Sequence, residues 1–280
     1  MYFRAGVVIL AATAVVFVAT PAEALPGLVL VRSTSLGTPD RLYFAEAACP
    51  AGTQLTGGGA RGSDGTLRVS VARPSADGNA LWWAGALGNG NPSTTITAYG
   101  ICATGMSGYQ IVTAEHLPPV GSLMAAATAT CPAGKRVIGA GASNAGQPGY
   151  VVEGVRISSD LTSVFARTLR GPTATSDTAP YAVAFAICID PVPGQQRVMA
   201  TTATSTGTVK SISVRCPSGT RLHGLGGMVS GGSGRVGLQA LYPTTTFTGS
   251  PVGTSVTARV LAGTSYQGAW RAEAYGVCAQ

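Results

Sequence analysis

Short runs of Val, Ile, Leu, Thr and aromatic residues, bounded by Gly, Pro, Asn and Ser, recur along the chain and read as β-strands separated by turns. Residues 67–72, 150–157 and 236–241 form one such set, each followed by a turn carrying Pro74, Ser158-Ser159 or Pro243. A second set begins with Leu81-Trp82-Trp83, aligned with Val164-Phe165-Ala166 and Val256-Thr257-Ala258, and closes at Gly88, Gly171 and Gly263. Earlier stretches at 29–32 and 42–45, 111–114 and 124–130, and 198–202 and 209–214 complete the rhythm. No window sustains a 3.6-residue apolar period, so the pattern predicts an all-β protein with almost no helix and five to six strands per recurrence.

The rhythm reflects an internal repeat. Cys49-Pro50-Ala51-Gly52, Cys131-Pro132-Ala133-Gly134 and Cys216-Pro217-Ser218-Gly219 each open the pattern C-P-[AS]-G-x-x-[LV]-x-G-x-G. Ala98-Tyr99-Gly100-Ile101-Cys102, Ala184-Phe185-Ala186-Ile187-Cys188 and Ala274-Tyr275-Gly276-Val277-Cys278 close it. The repeat length of about 85 residues divides the chain into units 25–107, 108–194 and 195–280. The junctions at 104–108 and 191–195 are too short for flexible tethers, so the units are expected to pack on one another. Two arrangements satisfy this: one pseudo-threefold body, or three tandem small β-sandwiches with one disulfide each. The alternating glycines, such as Gly57 and Gly59 or Gly139 and Gly141, leave one strand face bare. Another backbone, or the ring of Tyr99, Phe185 or Tyr275, is expected to approach closely there.

Residues 1–24 read as a secretory signal peptide, with Arg4, an apolar stretch over 5–19 and an Ala22-Glu23-Ala24 cleavage site. The apolar stretch falls short of the roughly 20 residues a spanning helix needs, so the expected location is extracellular, with no membrane attachment after cleavage. In an exported chain six cysteines, two per unit, read as disulfides, and no C-x-x-C spacing suggests a metal site. Threefold repetition leaves two pairings. Each unit closes on itself (Cys49 with Cys102, Cys131 with Cys188, Cys216 with Cys278), or neighbours are stitched (Cys102 with Cys131, Cys188 with Cys216, Cys278 with Cys49). The first is preferred, because the C-P turn opens one strand and the closing cysteine ends another that would lie antiparallel beside it.

Charged residues make up only 10% of the chain, and the net charge of +7 comes from arginines spread along it. That distribution favours general solvation over a nucleic-acid-binding run, and permits weak attraction to anionic glycans or envelope polymers. His116 and His223 are the two histidines and occupy non-equivalent positions; His223 aligns with Thr56 and Ile138. No G-x-S-x-G elbow occurs. None of the carboxylates recurs across the units and no pattern asks for a cofactor, so no catalytic residue is assigned.

Trp82 and Trp83 are consecutive on an expected strand, so their side chains point to opposite faces. An exposed Trp near Asn79, Asn89 and Asn91 makes a platform that stacks on a sugar ring. The leading expectation is therefore a secreted binding or cell-envelope interaction module, with a glycan ligand at Trp82 or Trp83, Asn79 and Asn91. The alternatives are a secreted hydrolase using a loop-borne Ser or carboxylate with His223 or His116, and a structural matrix component.

The C-P-A-G opening and A-Y-G-I-C closing resemble a repeat found in secreted actinobacterial proteins, a resemblance that covers the chain after residue 24 and is silent about activity. The layout of three cysteine-bracketed β units also resembles the vitelline membrane outer layer protein. That resemblance implies a three-sheet β-prism and no particular ligand.

Overall fold

The structure, a computed structural model, describes residues 25–36, 42–75, 80–88, 90–147, 149–171, 174, 178–261 and 266–280; the segment 1–24, Asn79 and Asn89 lie outside the described residues. Among these residues every regular element is a strand. The first unit supplies β1 (Val29–Leu36), β2 (Leu42–Ala48), β3 (Gln54–Gly62), β4 (Arg68–Pro74), β5 (Leu81–Leu87) and β6 (Thr95–Ala103). The second supplies β7 (Gln110–His116), β8 (Met124–Thr130), β9 (Arg136–Ser143), β10 (Tyr150–Ile157), β11 (Ser163–Arg170) and β12 (Ala182–Ile189). The third supplies β13 (Gln196–Thr201), β14 (Val209–Arg215), β15 (Arg221–Ser230), β16 (Val236–Thr245), β17 (Pro251–Val260) and β18 (Arg271–Ala279).

These strands form three six-stranded antiparallel sheets: face one, β1-β6-β3-β16-β17-β14; face two, β7-β12-β9-β4-β5-β2; and face three, β13-β18-β15-β10-β11-β8. Advancing every strand by six positions turns face one into face two, face two into face three, and face three back into face one. The body is therefore pseudo-threefold. Tandem sandwiches are excluded, because each face takes three strands from each of two units. Edge strand β1 packs on β2, β7 on β8 and β13 on β14, so neighbouring faces meet at three corners and the sheet edges are covered.

Within a face the two units meet along a short seam of two residue pairs. These are Ala240–Arg61 with Leu241–Ala60, Val71–Ser143 with Ala72–Ala142, and Gly154–Met228 with Val155–Gly227. The second glycine of each motif makes the seam possible. A Cβ on Gly59, Gly141 or Gly226 would stand 2.1, 2.9 or 2.7 Å from the carbonyl oxygen of Leu241, Ala72 or Val155. Tyr99, Phe185 and Tyr275 lie directly across the ladder from these three glycines, as the alternation implied, although the closest approach is made by backbone.

The first glycine of each motif marks the centre of the molecule. A Cβ on Gly57 would meet the His223 carbonyl and Gly224 Cα, one on Gly224 would meet the Ile138 carbonyl and Gly139 Cα, and one on Gly139 would meet the Thr56 carbonyl and Gly57 Cα. The three contacts close a ring. The residue before each glycine, Thr56, Ile138 or His223, is a bulge in the ladder and fully buried. Around this ring the inward positions carry Leu55, Trp82, Ile101, Val137, Leu222 and their neighbours in one continuous core.

Disulfides join Cys49 to Cys102, Cys131 to Cys188 and Cys216 to Cys278, closing each unit on itself. The opening cysteine follows an edge strand of one face, whereas the closing cysteine lies on a strand of the next. Each bridge therefore staples one corner. The strand alignment needs one correction. Cross-strand partners pair Arg73 with Trp83, Arg156 with Phe165 and Tyr242 with Ser255, so Phe165 corresponds to Trp83 and Ser255, not to Trp82 and Thr257. The bulge at Ser70, Glu153 and Gln239 is common to β4, β10 and β16, so the cause is the unequal length of the turns before β5, β11 and β17. A slip of one residue exchanges the two sides of a strand.

Candidate functional site

The outward side of each face carries arginines laid over aromatic rings. On face two, Arg73 of β4 sits 5.0 Å from the centre of the Trp83 ring on β5 and 5.5 Å from Phe185 on β12. Burial between the rings holds the Arg73 guanidinium below its ordinary pKa, though it remains a cation. Face three carries two such pairs: Arg156 of β10 lies 5.1 Å over Phe165 of β11, and Arg197 of β13 lies 5.4 Å over Tyr275 of β18. On face one the position equivalent to Arg73 and Arg156 is Tyr242 of β16, and the cation arrives from β3 instead. Arg61 lies 4.7 Å over Tyr242, whose ring is 5.9 Å from that of Tyr99. Pairs at these distances attract through the ring quadrupole, and Arg73 and Arg197 each also donate to a backbone carbonyl, of Pro74 and Ile157.

Two of the faces open into equivalent clefts at one end of the body. The cleft on face one, about 480 Å³, is lined by Arg32, Arg61, Tyr99, Tyr242, Thr244 and Thr245. That on face three, about 350 Å³, is lined by Thr128, Arg156, Ser158, Ser163, Phe165 and Arg197. Ser158 and Ser159 follow Arg156 as Thr244 and Thr245 follow Tyr242, so the two clefts are related by the pseudo-threefold axis.

No family model and no curated protein matches this chain. Three disulfides are typical of extracellular proteins. Among the described residues no helix is long and apolar enough to cross a membrane.

The residues singled out in the sequence part company. Trp82 is fully buried and lies against Gly58, where a Cβ would come within 2.3 Å of its ring, so it belongs to the core. Trp83 is on the outward side beneath Arg73. Asn79 lies outside the described residues. Asn91 follows the far end of β5 from Trp83; its carbonyl accepts from the Tyr43 hydroxyl and its side chain from the Ser93 amide, so it shapes a turn. The histidines are not brought together. His223 is buried at the central ring with neither ring nitrogen hydrogen-bonded, and desolvation lowers its pKa to about 4. His116 ends β7 in an open cleft with Glu115, whose carboxylate accepts from the Tyr181 hydroxyl.

What sequence reasoning missed is the arginines. Arg73 and Arg156 occupy the same position of their units, two residues past the bulge-side valine or its equivalent, and each faces an aromatic across the ladder. The alignment slip at Trp82 hid that match. On the strands of face three, β10 and β18, two acids are already engaged. Burial works to raise the Glu273 carboxyl, but bonds from Ser230, Tyr275 and Arg271 outweigh it and hold its pKa low. Burial pushes Glu153 up to about 7, against the pull of its ion-pair partner Arg167.

Proposed function

We propose that this protein is an exported binding module that engages an extracellular glycan or cell-envelope polymer through its three equivalent faces. The observation that carries the reading is the arginine stacked on an aromatic ring on every face. Aromatic faces suit the C–H side of a sugar ring, and guanidinium forks bond hydroxyls and acid groups in pairs. The net charge of +7 favours an anionic polymer. Three weak sites held on one rigid body gain by multivalency when the ligand is a repeating chain. The signal-like segment 1–24 and the corner disulfides support export.

A panel of immobilised acidic and neutral polysaccharides tests the reading. The protein is expected to bind an acidic member and to release it as salt is raised to about 0.5 M, where surface attraction is screened within a few ångströms. Binding to none of the panel overturns the proposal.

A further inference from the structure

We infer that the face-three cleft is a site for an acidic pyranose, with the sugar ring against Phe165 and its anionic group held between Arg156 and Arg197. The inference rests on the binding role proposed above and names the ligand class of one of its sites. Arg197 starts from β13, three strands away from β10, yet its Nη1 donates to the Ile157 carbonyl at 2.8 Å, next in sequence to Arg156. Both guanidinium groups also lie close enough to the Tyr275 hydroxyl to act on it electrostatically. Two cations are thus gathered into one cleft of about 350 Å³, within the size range of small-ligand sites.

Nothing described neutralises them. Neither Arg156 nor Arg197 forms an ion pair among the described residues, while Glu153 and Glu273 are committed to Arg167 and Arg271. Asp160, in the adjoining turn, accepts hydrogen bonds from Ser158 and Thr162, and no arginine acts on it electrostatically. An acid group placed between the two gains from both charges and offers both forks a bidentate acceptor. Phe165 supplies the apolar wall, and the Thr128 and Ser163 hydroxyls on the rim suit sugar hydroxyls.

The equivalent positions on the other faces show that this pair of cations is particular to face three; the face-one cleft takes its own two, Arg32 and Arg61, from other positions. Register against the closing cysteines matches Arg197 with Leu30 on face one and Ile111 on face two. Arg156 matches Tyr242 and Arg73. Face one has neither cation at these two positions, face two has one and face three has both.

Calorimetric titration of the full chain with trigalacturonate, glucose 6-phosphate, cellotriose and inorganic phosphate tests the assignment, with Arg156→Gln/Arg197→Gln, Phe165→Ala and, as an exposed arginine outside every stack and cleft, Arg136→Gln as variants. Binding of either acidic sugar, weakened at least about tenfold by the double variant and by Phe165→Ala but less than threefold by Arg136→Gln, is the expected result. Unchanged thermal unfolding of the double variant shows that the loss is local. The assignment falls if the double variant binds like the parent, if cellotriose binds as well as trigalacturonate, or if inorganic phosphate alone binds as well as the acidic sugars. Polysaccharide binding without affinity for either acidic sugar also removes it, yet leaves the general binding role standing. Absence of any polysaccharide binding removes both.

Discussion

Gly57 and Gly224, 167 residues apart, touch backbone to backbone at the centre of the molecule: a Cβ on Gly57 would stand 2.9 Å from Gly224 Cα. The contact is one side of a closed triangle whose other sides join Gly224 to Gly139 and Gly139 to Gly57. It explains why the first glycine of the motif recurs in all three units. Each unit contributes one strand to the centre, and three strands meet at one level only if none carries a side chain there.

Alanine at these sites has nowhere to go. Gly139→Ala places its methyl group 1.7 Å from the Thr56 carbonyl oxygen and is expected to cost about 3 kcal/mol or more. Gly134→Ala is the control: its φ is +83° with open space around it, so only the backbone penalty of about 1–2 kcal/mol applies. Urea unfolding of both variants measures the difference, and equal costs would mean that the central contact is not tight.

His223 makes stability fall as the solution is acidified. Its pKa is about 4 in the folded chain against 6.5 ordinarily, so below pH 6.5 the unfolded chain takes up a proton the folded chain refuses. The loss accumulates from pH 6.5 to about 4 and reaches about 3 kcal/mol. Glu153 acts with the opposite sign, because its raised pKa makes the folded chain the better proton acceptor between pH 4.5 and about 7. The comparison of parent with His223→Ile, which installs the residue found at Ile138, isolates the histidine. The variant is expected to gain about 3 kcal/mol on the parent between pH 6.5 and 4; parallel stability curves would contradict the assignment.

Each disulfide fastens a corner between two faces. Removing one as Cys49→Ala/Cys102→Ala releases a loop spanning 53 residues and is expected to cost about 4 kcal/mol. Hydrogen exchange should quicken first in β2 and β6, the strands that the bridge connects across the corner. Uniform quickening over all three faces would show that the bridge does not act locally.

The adjacent tryptophans should separate stability from binding. Trp82→Ala empties a buried site and is expected to cost about 3–5 kcal/mol. Trp83→Ala removes the platform beneath Arg73, should cost about 1 kcal/mol, and should weaken polysaccharide binding while the fold persists. Thermal unfolding paired with a binding isotherm distinguishes the two; equal behaviour would place both rings in the core.

Much of this architecture is legible along the chain, because its markers are local. The C-P-x-G turns and closing cysteines delimit the units, and the short apolar runs locate the strands. The Leu55–Cys102 register shows why the self-closing pairing holds: the start of β3 lies beside the end of β6, as antiparallel pairing requires. The exchange of strands between units is another matter. Glycine at 57 announces a close approach but does not name Gly224 as its partner, because that contact depends on how whole sheets are shared. The arginine–aromatic stacks were hidden for two reasons. Bulges at Ser70, Glu153 and Gln239 interrupt the two-residue alternation, and each arginine and its ring come from different strands. Arg197 and Tyr275 are 78 positions apart in the chain, and only the β13–β18 ladder brings them onto one face.

Binding through all three faces is tested most directly by surface plasmon resonance on an immobilised acidic polysaccharide, comparing the parent with Arg61→Gln, Arg73→Gln, Arg156→Gln and the triple variant. Single replacements should weaken binding a few-fold, and the triple variant about a hundredfold or more, as avidity is lost. A triple variant that holds the polymer as tightly as the parent would contradict the account.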